Sequence, residues 1–360
     1  MSEPVVSLGA VVTRPRALVF APYLATAGGG ERVIAAIAEQ VALTHDVRIA
    51  APRRPDPQRW RDRGFTELPV EVMNARAVCR ATLGVDLFVT QTNHLPLPSF
   101  AKRSLLVVQF PFDDLHRLAP IMRFAHRRAL ATYGVATYTQ FCREHVMRRW
   151  GLSKVDLLAP PVEQFPYSPE LKQKLIISVA RFISAGHVKR QDVLLDAWER
   201  LHPSMPDWRL QLIGGGSAGD PFVDGILARA ATLPRVTVSL DLPAEELLKV
   251  YTTAEIFWHA TGFDRSPTEP ETAEHFGIST VEAMSAGVVP VVFDDGGPAE
   301  LVALDIGRRW RIIDELTAAT VELSNSLELR RLLQSNANAR ARDFTRDRFN
   351  RRLTQLLDAG

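Results

Sequence analysis

Two acids, a glycine and a helix start share nine residues of this chain, Glu274 to Glu282, EHFGISTVE. Ser279 and Glu282 have the S-x-x-E spacing of a capping box, which predicts a helix opening here. It should run through Val281, Ala283 and Met284 to Gly287, a residue suited to a left-handed cap. A helix N-terminus presents free N–H groups and a partial positive charge, so it can hold an anion. Gly277 lets a ligand approach the backbone closely. Glu274 on the loop side and Glu282 in the first turn can both face one polyhydroxy ligand, with the helix end left for its phosphates. The same residues also fit a bare helix cap beside a solvated acid.

A second group of candidates is basic. Arg181, in SVARF, and Lys189, in HVKRQD, lie at and just after the end of a predicted strand over 174–182, at the end of a sheet where α/β proteins bind ligands. Positive charge there suits a departing diphosphate. His187 and Arg190 flank Lys189. Near the start, Gly28, Gly29 and Gly30 follow the strand ALVFAPY and open a helix with Val33, Ile34, Ile37 and Val41 at helical spacing. Strand, glycine turn and helix begin a Rossmann-like unit, although neither G-x-G-x-x-G nor a P-loop is present.

The elements that must position these residues repeat one rhythm. Short apolar strands are predicted at 46–50, 85–90, 105–110, 135–139 and 155–159, with helical stretches between them. The proline-rich segment from Pro160 to Glu170 reads as a linker. Beyond it come strand 174–182, a strand and glycine turn over 208–220, then VTVSLDL, AEIFWHA and VVPVVF, and a helix start at GGPAELV with Pro298 at its first position. A single arginine-rich helix is expected over the last stretch, from LRRLLQ to the end. Strands alternating with helices argue for parallel sheets covered on both faces, and 360 residues suit two domains.

The run EHFGISTVEAMSAGVVPVVFDDGGPAELV resembles the E-x7-E donor-binding segment of retaining GT-B glycosyltransferases of family 4, the glycosyl transferases group 1. WHATGF at 258–263 and the EHFGI start resemble a bacterial subset of that family, and HVKRQD resembles its basic pair. The resemblance implies a GT-B fold, two Rossmann-like α/β domains facing a central cleft. Residues 1–165 would bind the acceptor and 172–340 the donor, with 341–360 a C-terminal helix crossing back to the first domain. It implies transfer of a hexose or deoxyhexose from a nucleotide-diphosphate sugar to a glycan or lipid-linked glycan, with retention, by front-face attack and without a metal. Glu274 would hold hydroxyls of the transferred sugar, Glu282 those of the ribose, and Arg181 and Lys189 the diphosphate. Gly29 and Gly30 would approach phosphates and sugar; Gly214 and Gly216 would line the nucleotide pocket, with the main chain at Leu242 near the base. His259, Thr261 and Gly262 would lie near the donor, as would His275. Backbone N–H groups of Phe276, Gly277 and Ile278 would reach sugar and diphosphate, with Ser279 beside them. Gln109, in VVQFPFDD, stands where many relatives carry a histidine, and glutamine cannot take a proton near neutral pH. Two other readings follow: a catalytically weak nucleotide- or glycan-binding protein, and a nucleotide-sugar epimerase or phosphorylase of the same fold.

Composition bounds the rest. A formal charge of +2 gives no case for nucleic acid. Cys79 and Cys142 make neither a disulfide framework nor a metal site. The sequence has no signal-peptide pattern and no apolar run long enough to span a bilayer. The expected location is cytoplasmic, with a possible peripheral contact on the inner face of the membrane. No cofactor is expected beyond the nucleotide-sugar as co-substrate. The arginine-rich segments 123–133 and 143–151 fit solvated helix faces or contacts with anionic lipid head groups.

Overall fold

A computed structural model describes residues 14–24, 29–54, 56, 69–184, 188–266 and 268–358. Gly28 and His187 lie outside the described residues. The described chain falls into two compact units, one holding residues up to Val107 with Leu118–Val135, the other Val108–Arg117 and Ala136 onward.

The first sheet has seven strands: β1 (Arg16–Phe20), β2 (Asp46–Ala51), β3 (Val70–Val72), β4 (Leu87–Gln91), β5 (Arg103–Val108), β6 (Gly134–Thr137) and β7 (Asp156–Leu157), in the order β3-β2-β1-β4-β5-β6-β7. β1 and β4 are apolar runs buried almost end to end, as strands covered on both faces must be. Helix α1 (Gly29–Ala42) buries Val33, Ile34, Ile37 and Val41. Gly29 and Gly30 therefore form the first turn of α1 and do not precede it, because the helix starts one residue after the first glycine of the run.

The second sheet has six strands: β8 (Leu175–Val179), β9 (Arg209–Gly214), β10 (Val236–Leu240), β11 (Ile256–His259), β12 (Val289–Phe293) and β13 (Arg308–Trp310), in the order β10-β9-β8-β11-β12-β13. Every pairing in it is parallel. Its core gathers Trp198, Leu210, Leu212, Trp258, Val291 and Trp310, all fully buried. The order of strands reverses between β8 and β11. That is the switch point at which open parallel sheets leave a crevice at their carboxyl ends.

Two strands escape the hydrophobic pattern. β3 is three largely exposed residues, and β13 reads Arg-Arg-Trp; both sit at sheet edges, paired on one side only, where charged side chains are tolerated. Arg308 pairs with Glu322 at 2.8 Å and Arg309 with Asp294 at 3.2 Å. The expected single C-terminal helix is two helices, Leu327–Ala341 and Arg346–Asp358, separated by a tight turn over Arg342–Phe344. That turn is pinned: Val162 donates its N–H to the Phe344 carbonyl at 2.8 Å, and Arg352 reaches Asp156 at 3.0 Å.

Candidate functional site

The crevice at the switch point is built from the ends of β8, β9, β11 and β12. β8 and β9 finish in contact: a Cβ on Gly214 would lie 1.8 Å from the Ala180 carbonyl oxygen and 3.2 Å from the Arg181 nitrogen, so only glycine fits. Gln191 Nε2 donates to the carbonyls of Ala180 and Arg181 at 3.3 and 3.1 Å. The backbone is clamped and the Arg181 side chain stands exposed to solvent. A Cβ on Gly216 would lie 3.2 Å from Phe182, 3.3 Å from Val223 and 3.4 Å from Leu240, so side chains leave it little room. Leu242 is partly buried and packs with the group containing Ile213 and Tyr251.

Lys189 and Glu274 meet as an ion pair at 2.5 Å, with side chains 11% and 20% exposed. His259, at the end of β11, brings Nε2 within 3.9 Å of the same Glu274 oxygen. That exceeds hydrogen-bond length, and among the described residues neither ring nitrogen of this buried histidine has a hydrogen-bond partner. Burial works against an ionised Glu274, yet the Lys189 ammonium, with His259 beside it, holds the carboxyl well below the usual range. Burial likewise pushes the His259 imidazole down, with the Glu274 carboxylate pulling the other way, so this ring favours its neutral form. The result is a carboxylate and an ammonium beside a buried imidazole whose ring nitrogens have no hydrogen-bond partner among the described residues.

Glu274 to Gly277 reach helix α8 (Ile278–Ser285) through a backbone that another pair of glycines supports. Gly297 donates its N–H to the Glu274 carbonyl at 2.8 Å. A Cβ there would fall 2.5 Å from the Phe276 Cα and 2.6 Å from the His275 carbonyl oxygen. On Gly296 it would come within 2.3 Å of the Glu274 oxygen. The sequence signal for this was present, two glycines shortly after an apolar strand, but it read as a helix start. The helix does begin there, at Gly296–Leu301, which puts Pro298 at its third position and not its first. Asp295 takes Arg265, while Asp294 takes Arg309 at 3.2 Å and Arg311 at 2.9 Å, so both acids are engaged by arginines.

The expected capping box at Ser279 and Glu282 does not form. The cap of α8 is Gly277 in the left-handed region at φ 95°, with no side-chain cap bond. Starting the helix at Ile278 moves Ser279 into its first turn, half-buried, and turns Glu282 inward. Glu282 is buried and accepts a hydrogen bond from the Tyr251 hydroxyl at 3.0 Å. Tyr251 thus fixes one of the two predicted acids, a role that a lone tyrosine within the EELLKVY helix gave no means of seeing.

His275 turns its ring from the glycines to stack on Phe110 at 4.8 Å, with Nε2 3.1 Å from the Glu271 carbonyl. Its own carbonyl accepts the Thr139 hydroxyl at 3.0 Å. Gln109 is the half-buried residue preceding Phe110. Phe276 is buried between Tyr138 and Phe344. Thr261 is buried and Gly262 has φ 94°, after β11. Arg190 is taken up elsewhere: it donates to the Phe263 carbonyl at 2.6 Å, pairs with Asp192 and lies over the Phe263 ring.

The far end of α8 is also tied down. Ser285 Oγ accepts the Phe165 N–H at 2.9 Å, the Tyr167 ring occupies the space beside Gly287, and Lys172 donates to the Ala286 carbonyl at 2.7 Å. Burial lowers the Lys172 pKa to about 7. Between that value and about 10.5, where an unfolded lysine titrates, the unfolded chain binds more protons. Stability should therefore rise with pH across this window, by at most about 1.4 kcal/mol per pH unit. Urea unfolding at several pH values should show that component in the wild type and its loss in Lys172→Met; equal pH slopes in the two proteins would refute it.

Residues 162–343 match the model of the family described as glycosyl transferases group 1. The GDP-mannose-dependent alpha-(1-6)-phosphatidylinositol monomannoside mannosyltransferase of Mycolicibacterium smegmatis is 26% identical over 220 residues, 55% of this chain and 53% of that protein. A glycogen synthase of Deinococcus radiodurans is 29% identical over 122 residues, 34% of this chain and 24% of its own. The match thus spans about half of the first relative and a quarter of the second. Among solved structures, HepE from Anabaena in complex with UDP and glucose superposes with a TM-score of 0.71 at 17% identity, covering 96% of this chain and 100% of that one. A glycosyltransferase from Rickettsia africae gives 0.71 at 13% identity over the same shares. These likenesses establish the GT-B fold, and the family match spans just over half of the sequence: the chain belongs to the glycosyl transferases group 1.

Proposed function

We propose that this protein is a retaining glycosyltransferase that moves a hexose or deoxyhexose from a nucleotide-diphosphate sugar to a glycan or lipid-linked glycan, without a metal. The observation that carries the proposal is the Lys189–Glu274–His259 cluster at the sheet's switch point, beside the exposed Arg181. The acceptor hydroxyl attacks the anomeric carbon on the face from which the diphosphate leaves. The bond from that carbon to the phosphate oxygen breaks, the new glycosidic bond forms, and the acceptor proton passes to the departing phosphate. Lys189 and Arg181 stabilise the charge on the leaving group, while Glu274, with the His259 imidazole behind it, holds sugar hydroxyls. Glu282 takes the ribose, and the α8 N-terminus with Gly277 faces the diphosphate. In this scheme the leaving phosphate serves as base, so Gln109 need only hydrogen-bond.

Thermal shift and donor hydrolysis with GDP-, UDP-, dTDP- and ADP-sugars test this. GDP-mannose goes first, because the mycobacterial relative's name carries it. One nucleotide class should raise the melting temperature, as a ligand selective for the folded state must. Arg181→Ala and Glu282→Ala should abolish the shift. A protein indifferent to every donor would end this reading, and a shift unchanged in both variants would move the donor elsewhere.

A further inference from the structure

Helix α3 (Pro120–Leu130, PIMRFAHRRAL), in the smaller unit, exposes the face that a globular helix normally buries. Ile121, Phe124, Ala125 and Arg128 stand at i, i+3, i+4 and i+7, the spacing of an apolar seam. All four are exposed, Ile121 at 75% and Phe124 at 65%, and Met122 beside them at 49%. The helix is held instead at its C-terminal end, by Ala129 and Leu130. Arg127 and Arg128 are exposed, and among the described residues neither has an ion-pair partner. From Leu115 to Arg143 the sequence contains five arginines and no aspartate or glutamate. Large apolar side chains facing water within a run of one charge sign mark an interaction surface.

We infer that α3 docks this protein onto the surface of an anionic lipid bilayer, Ile121 and Phe124 entering the boundary of the head groups while Arg127 and Arg128 meet lipid phosphates. The absence of carboxylates from α3 selects this occupant, since an anionic surface is complementary to its three arginines and each adds attraction that a neutral or mixed partner would not supply. Two arginines and two apolar side chains give reversible attachment, not insertion. This inference stands apart from the donor reading, because α3 holds none of the residues assigned there.

Co-sedimentation of the full chain with vesicles decides it. The protein should pellet with phosphatidylcholine vesicles containing about 30 mol % phosphatidylglycerol, not with phosphatidylcholine alone. Raising salt from about 0.05 to 0.5 M should release it. Ile121→Asp/Phe124→Asp should bind at least about tenfold more weakly. Arg127→Gln/Arg128→Gln should lose about 25-fold, about fivefold for each charge. Leu332→Asp, at an exposed leucine of the larger unit, should bind as wild type. Every altered position is exposed, so melting temperatures should be unchanged; should one pair misfold, the other decides. Wild-type protein that stays in solution with anionic vesicles overturns the inference, as does equal binding by both double variants. A wild-type dimer that Ile121→Asp/Phe124→Asp converts to a monomer, with no vesicle binding, also overturns it and assigns the face to a second copy.

Discussion

Glu274→Gln is expected to lower the rate of sugar transfer about 10³-fold, because the amide keeps the shape but neither balances Lys189 nor presents a charge to the forming oxocarbenium. It should also cost stability. The pair lies at 2.5 Å with both side chains mostly buried, and removing one partner leaves the Lys189 ammonium uncompensated, at about 3 kcal/mol. Lys189→Met should cost a similar amount for the mirror reason. The double variant Glu274→Gln/Lys189→Met separates the two effects: urea unfolding should recover most of the stability while single-turnover transfer stays at the floor. A double variant no more stable than either single one would mean that the pair is uncoupled. The depressed Glu274 carboxyl carries a pH signature of the same sense as that of Lys172, stability rising with pH, but in the acid range. Its stabilisation is fully present above the ordinary carboxylate range and is withdrawn only as the medium acidifies through the depressed folded value.

Gly297→Ala should be among the most damaging small substitutions in the larger unit. The new methyl meets the Phe276 Cα at 2.5 Å and the His275 carbonyl at 2.6 Å, backbone atoms that no rotamer change can move. Overpacking of this kind costs about 3 kcal/mol, and any relief would displace the peptide that carries Glu274. Gly225→Ala is the matched comparison: it lies within the helix Pro221–Thr232 with nothing within 4 Å of a Cβ. There the same methyl should raise stability by about 0.5–1 kcal/mol, through helix propensity. Melting curves of the two variants should move in opposite directions, and a Gly297→Ala protein that melts and turns over like wild type would refute the tight contact.

The contrast between those glycines also marks what the sequence could and could not reveal. The strands of the two parallel sheets were legible because a strand covered on both faces must be apolar throughout, as in LFVTQ or LIISV. β13 was not, since an edge strand can be built from Arg-Arg-Trp when acids such as Glu322 and Asp294 wait beside it. Lys189 and Glu274, 85 positions apart, were marked by motif as residues of one site, and their direct ion pair is a product of the fold alone. The helix cap failed for a local reason: S-x-x-E has the right spacing, but a left-handed glycine already ends the loop at Gly277, leaving Glu282 free to turn toward Tyr251. Which partner a side chain takes is a tertiary fact that spacing does not carry.

The fastening of α8 at its carbonyl end bears on how such sequences can diverge. Eight residues make about two turns, so the Ser285–Gly287 attachment to Phe165, Tyr167 and Lys172 lies only about 12 Å from the amides that face the site. The segment from 160 to 172 is thus a fitted part and not a spacer. A larger residue at 287 requires a smaller one at 167, and loss of the hydroxyl at 285 strands the amide of 165. In any lineage of this protein those positions are bound to change in concert. A linker exchanged between relatives brings its half of that fit with it and finds the other half missing.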